Sequence, residues 1–100
     1  MKNKTIYIAG PITGYDLEER RHEFSTIQYY LLIDGHEVVN PMELEHNHDK
    51  SWESYMRECI KALIKCDAIY LMKDWHLSEG ERLEFTIASK LKMEIIDPSI

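Results

Sequence analysis

Glu84 is the residue of this chain whose type and spacing best suit it to chemistry. It falls four residues after Gly80 and four before Ala88, on the border of an apolar helical stripe. A helical side chain leans back toward the N-terminus of its helix, so a carboxylate there would lie over Gly80, which has nothing to obstruct a ligand. Glycine in a first helical turn otherwise costs up to ~1 kcal/mol against alanine. A carboxylate at a cleft, close to a helix dipole that favours its charged form, is suited to act as a nucleophile. The competing reading is a solvated helix glutamate. The second candidate is Gly10-Pro11-Ile12-Thr13-Gly14, whose glycines permit close backbone approach and whose Thr13 brings a hydroxyl. It is neither G-x-G-x-x-G nor a Walker A loop, and it reads either as a tight turn or as a ligand loop of another kind.

Other reactive residue types point to blander roles. Glu45-His46-Asn47-His48-Asp49 matches no standard zinc spacing, and its two histidines would point oppositely in an extended chain, so a solvated loop and no metal are expected. Cys59 and Cys66 sit seven apart in a helical pattern. That separates them by roughly 10 Å along the axis, beyond the ~7 Å reach of a disulfide, and free thiols fit a reducing, cytoplasmic compartment. Asp67 opens an apolar run, where an aspartate commonly marks a strand start. Trp75 and His76 either cover a base by stacking or pack at a dimer contact.

The elements that would position these residues follow from periodicity. Thr5–Ala9 is a β-branched and aromatic run stopped by Gly10-Pro11, which predicts a buried strand. Asp16 caps a helix with Glu18 and Glu19 in its first turn and Leu17, Phe24, Ile27 and Leu31 inward, and Gly35 supplies a left-handed stop. His36–Asn40 is a second strand, ended by Pro41. After a polar loop, Ser51 caps a helix presenting Trp52, Met56, Ile60 and Leu63. Asp67–Met72 reads as a central parallel strand. A polar loop from Lys73 to Leu77 leads into Ser78-Glu79-Gly80-Glu81, an S-x-x-E capping box opening a third helix with Leu83, Ile87, Ala88 and Leu91 inward. Met93–Asp97 is a final strand.

The order β-α-β-α-β-α-β predicts one α/β domain over residues 1–100: a small doubly wound parallel sheet, Rossmann or flavodoxin-like, with about four strands and three helices. In such sheets ligands bind at the carboxyl ends of the strands, which brings Gly10–Asp16, Asn40 onward and Lys73–Gly80 together. Apolar residues make up 44% of the chain and charged residues 30%, an ordinary globular balance. A net charge of −6 argues against a nucleic-acid polymer as partner, though backbone N–H groups can hold a single phosphate. No apolar run approaches a membrane span, and the first residues carry no signal-peptide hydrophobic region. A core this small makes self-association plausible.

Three segments together resemble the nucleoside 2-deoxyribosyltransferase superfamily: Thr5–Gly14, Cys66-Asp67-Ala68-Ile69-Tyr70-Leu71, and Ser78-Glu79-Gly80-Glu81-Arg82-Leu83-Glu84. They are similar also to its deoxynucleoside-monophosphate N-glycosidase branch and to a domain family of unknown function common in phages and prophages. The resemblance implies Glu84 as the nucleophile, Asp67 as the aspartate assisting the base and Tyr7 as the tyrosine orienting the nucleophile. It further implies Gly10, Pro11, Ile12, Thr13, Gly14, Ser78 and Gly80 as substrate-binding positions, no cofactor, and a homo-oligomer whose neighbour completes the pocket. The implied reaction is attack on the anomeric carbon of a 2-deoxyribonucleoside or its 5′-monophosphate, resolved by water or a second base. Ser78 matches the hydrolase branch, where a serine helps bind the 5′-phosphate, whereas Thr13 stands where that branch has an arginine. A nucleotide sensor or scavenger without turnover, and a structural oligomer with a vestigial pocket, are the competing functions.

Overall fold

Parallel pairing with two neighbours puts β1 (Thr5–Ala9) at the centre of the sheet, and its last four residues are buried. The computed structural model describes residues 3–44 and 51–99. Four strands lie in the order β2-β1-β3-β4, with β2 at Glu37–Val39, β3 at Ala68–Leu71 and β4 at Glu94–Ile96. All pairs are parallel; Tyr7 stands opposite Val39 on one side and Ile69 on the other. This is the flavodoxin-like order, and its direction reverses between β1 and β3. Asp67 precedes β3 rather than belonging to it.

Helices cover both faces, as a wholly parallel sheet requires. On one face α1 (Leu17–Ile33) packs Phe24, with Ile27 and Leu31, against Ile8 and Met72. On the other, α2 (Trp52–Leu63) and α3 (Glu79–Lys90) bring Cys59, Leu63 and Ala88 against Tyr7, Ala9, Ile69 and Leu71. The alternation along β1 decides this: Tyr7 and Ala9 point to α2 and α3, while Ile8 points to α1. The expected caps form at two helices, where Asp16 accepts from the Glu19 N–H and Ser51 from the Ser54 N–H. Gly35 ends α1 at φ +94°, a backbone that a side chain would strain.

Several expectations need correction. Leu17, Leu83 and Leu91 lie outward, at 48%, 38% and 57% exposure, as does Trp52. Ala88 is buried and Ile87 packs on the core as expected, but the rest of the buried stripe of α3 is Gly80 and Glu84. The segment after β3 is not plain loop: Trp75–Leu77 makes a 3₁₀ turn, and Trp75 packs on Phe85 with ring centres 4.8 Å apart. The motif at Ser78 forms only in part. Ser78 is the N-cap of α3, yet its side chain accepts no N–H from the first turn; the hydroxyl donates to the Glu81 carboxylate. Among the described residues no helix is long and apolar enough to cross a membrane.

Candidate active site

Gly80, Glu84 and Ala88 recur every four residues, so they share the buried side of α3. A Cβ on Gly80 would sit 3.1 Å from Met56 Sδ and 3.8 Å from Trp52 Nε1; the missing side chain lets the two helix starts close on each other. One turn on, Glu84 is 1% exposed and lies among core residues. The Tyr7 hydroxyl donates to its Oε2 at 2.8 Å, while Oε1 is buried without a hydrogen-bond partner. Burying a carboxylate with half its acceptor capacity unused is costly, and such exceptions call for an explanation beyond packing.

The surrounding groups set its charge. Burial first, and then the nearby Glu81 carboxylate, raise the Glu84 carboxyl to about 8 against the opposing pull of the Tyr7 hydroxyl. Glu81 is itself raised by burial, with the Ser78 hydroxyl pulling the other way. Burial, then Glu84, holds the Tyr7 phenol well above its ordinary value. Behind this pair stand two α2 residues that carry no site signal in the sequence. Cys59 adjoins Tyr7, Tyr55 and Glu84, and its thiol is pushed up to about 11, chiefly by burial. Burial and Cys59 likewise raise Tyr55. A cysteine and a tyrosine on an apolar helix stripe look like core in sequence, and only the fold shows that they abut a buried carboxylate. Tyr55, Cys59, Tyr7 and Glu84 thus form a polar cluster inside an apolar layer.

Beside it, at the carboxyl end of the sheet, lies a cavity of about 320 Å³. Pro11, Thr13 and Tyr15 line it from the first loop, Trp52 from the start of α2, and Ser78 and Gly80 from the start of α3. Thus Pro11, Thr13, Ser78 and Gly80, four of the expected binding positions, share one hollow. Gly10 and Ile12 do not line it. Gly10 is packed against Met72, whose Sδ would lie 2.3 Å from an added Cβ, and Ile12 joins the α1-side core. Gly14, at φ +86°, lets the loop turn back so that the Tyr15 N–H reaches the Ile12 carbonyl at 3.2 Å. Arg20 braces this turn from α1. Nine-tenths buried, it donates to the Pro11 carbonyl and lies 4.8 Å from the centre of the Tyr15 ring. Glu84 does not line the cavity itself; Gly80, one turn earlier, does. A larger hollow of about 620 Å³ on the α1 side contains none of the expected site residues.

Asp67 is not brought to this group. It lies at the amino end of the sheet, where its carboxylate accepts from the Thr5 N–H at 2.9 Å, and it ties β1 to β3 there. The carboxyl edge is the opposite end of those parallel strands, so an aspartate that opens β3 is separated from the cavity by the strand's length. Trp75 and His76 also stay outside the cavity, which takes its aromatic rings from Tyr15 and Trp52. His46 and His48 lie outside the described residues, among which no group of three metal-ligating side chains is found.

The fold and site define a small flavodoxin-like α/β protein with a buried tyrosine–glutamate pair beside a cavity at the switch point. Over residues 4–97 the chain matches the family described as Domain of unknown function (DUF4406), and it belongs to that family. No curated protein matches it.

Proposed function

We propose that the protein cleaves or transfers the N-glycosidic bond of a 2-deoxyribonucleoside or its 5′-monophosphate, with Glu84 as nucleophile. The observation that carries this reading is the buried Tyr7–Glu84 hydrogen bond. It fixes one carboxylate oxygen and leaves the other without a partner, as in-line attack on an anomeric carbon requires. Oε1 bonds to C1′ as the C1′–N bond breaks and the electron pair leaves with the base; water or a second base then displaces the carboxylate, and the proton it gives up neutralises the released base. An ionised glutamate under the sugar stabilises the oxocarbenium-like transition state, the logic of a retaining glycosidase. Asp67 has no part in this scheme, since its carboxylate is engaged at the far end of the sheet.

A second reading, a nucleotide-binding module without turnover, is favoured by one observation: Glu84 is 1% exposed and lies behind the cavity wall. Incubation with each 2-deoxyribonucleoside and its 5′-monophosphate, followed by chromatography for free base, separates the two. Base release that Glu84→Gln abolishes, with ligand binding retained, is the expected result. Saturable binding with no release leaves the binding module. We infer also that the chain self-associates, which the exposed Tyr29, Tyr30, Leu32 and Ile33 of α1 support and sedimentation velocity would test. Two free cysteines support a reducing compartment.

A further inference from the structure

Resting on that reading of the site, we infer that the cavity takes an uncharged 2-deoxyribonucleoside in preference to its 5′-monophosphate, with the base stacked on Tyr15 and Trp52. Both rings line the cavity from different elements, and they are 40% and 43% exposed. Neither is excess surface left over from the core. Tyr15 is held in place by the buried Arg20 guanidinium, itself anchored on the Pro11 carbonyl. Trp52 opens α2, and its Nε1 lies 3.8 Å from where a Cβ on Gly80 would sit, so the bare glycine lets the ring close on α3. Rigid aromatic walls attract any base through its π-face, and their preorganisation reduces the ordering cost of binding.

The polar end of the cavity is unsuited to a dianion. A helix N-terminus would ordinarily attract phosphate. Here the first turn of α3 already carries Glu79 and Glu81, which answer its dipole, and Glu79 lines the cavity. The Ser78 hydroxyl, the natural donor to a phosphate, is spent on the Glu81 carboxylate. Among the described residues no lysine or arginine lines the cavity; Arg20 faces the ring of Tyr15, and Arg82 donates to the His76 carbonyl. A 5′-hydroxyl can share hydrogen bonds with Thr13 and Ser78, whereas a phosphate would meet the Glu79 carboxylate.

Calorimetric titration of the full chain and of Glu84→Gln with the four 2-deoxyribonucleosides and their 5′-monophosphates tests this directly. The expected result is saturable nucleoside binding at least tenfold tighter than that of the matching monophosphate. Glu79→Lys should narrow that gap tenfold or more, and Trp52→Leu should weaken nucleoside binding at least tenfold while the circular dichroism spectrum is unchanged. Equal or tighter monophosphate binding by the unaltered protein overturns the inference. So does undiminished nucleoside affinity in Trp52→Leu, or the lack of any saturable nucleoside binding. The two proposals fail separately: nucleosides that bind but release no base defeat the glycosidic reading alone, whereas preferential cleavage of monophosphates defeats the nucleoside preference alone.

Discussion

Tyr7 and Glu84, separated by 77 positions in sequence, meet through a 2.8 Å hydrogen bond inside the core. The donor comes from the central strand and the acceptor from the last helix, so the bond reports on the packing of α3 against the sheet as well as on the site. Tyr7→Phe should keep the ring packing and lose only the hydroxyl. The expected cost is about 1–3 kcal/mol in urea unfolding, the penalty for a buried acceptor left unpaired, together with a further rise in the Glu84 pKa. Retention of full stability in Tyr7→Phe would show that the hydroxyl makes no net contribution.

Glu84 also makes stability depend on pH. Its carboxyl is raised from 4.5 to about 8 in the folded chain, so between those values the folded state binds more protons than the unfolded state. Its contribution is therefore fully present below pH ~4.5 and is lost as pH rises through ~8, at a slope approaching ~1.4 kcal/mol per pH unit. Glu84→Gln, which mimics the neutral form, should flatten this slope and be the more stable protein at pH 9. Denaturant unfolding at intervals from pH 5 to 9 measures both. Under the proposed chemistry only about a tenth of Glu84 is ionised at pH 7, so kcat/KM should rise close to tenfold per unit below pH 8.

Asp67 offers a control on position. Asp67→Ala removes the acceptor of the Thr5 N–H and should cost roughly 1 kcal/mol. Asp67→Asn, which keeps a carbonyl oxygen, should cost less, and neither change should alter base release by more than about twofold. A loss of turnover of a hundredfold or more in Asp67→Asn, with stability intact, would return this residue to the chemistry.

Gly10 is held by space rather than by backbone angle. An added Cβ would lie 2.3 Å from Met72 Sδ and 3.0 Å from Met72 Cβ, at a side chain only 4% exposed. Gly10→Ala should therefore destabilise by about 1–3 kcal/mol through overpacking. Gly10→Ala combined with Met72→Ala should recover part of that loss relative to Met72→Ala alone, which a double-mutant cycle in denaturant would reveal.

The architecture was largely legible in sequence because each element announces itself locally. The β-branched body of Thr5–Ala9, the caps at Asp16 and Ser51 and the stop at Gly35 all use short-range physics, and the structure contains each. The site was legible in part. Glu84 stood out through its spacing from Gly80, but a periodicity reading treats glutamate as polar and sets it at the edge of its stripe. The fold sets it in the middle, and the outward turn of Leu83 and Leu91 is the other side of that error. Cys59 and Tyr55 were invisible as site residues, since Tyr7 and Glu84 reach them from β1 and α3, which only the folded chain brings to α2. Asp67 was misleading for the opposite reason: its place at the start of an apolar run already stated its structural role.

The strand order has a consequence for how the protein comes into being. The earliest strand, β1, sits between β2 and β3, and its Tyr7 hydroxyl finds its acceptor only on α3. A nascent chain carries β1 with one edge open until β3 arrives, and with its phenol unmatched until Glu84 docks. Non-local closure of this kind slows folding and leaves strand edges available to other chains meanwhile. Glu84 meanwhile stays hydrated and charged, and it takes up a proton at neutral pH as α3 settles, so docking of that helix should slow in alkaline buffer.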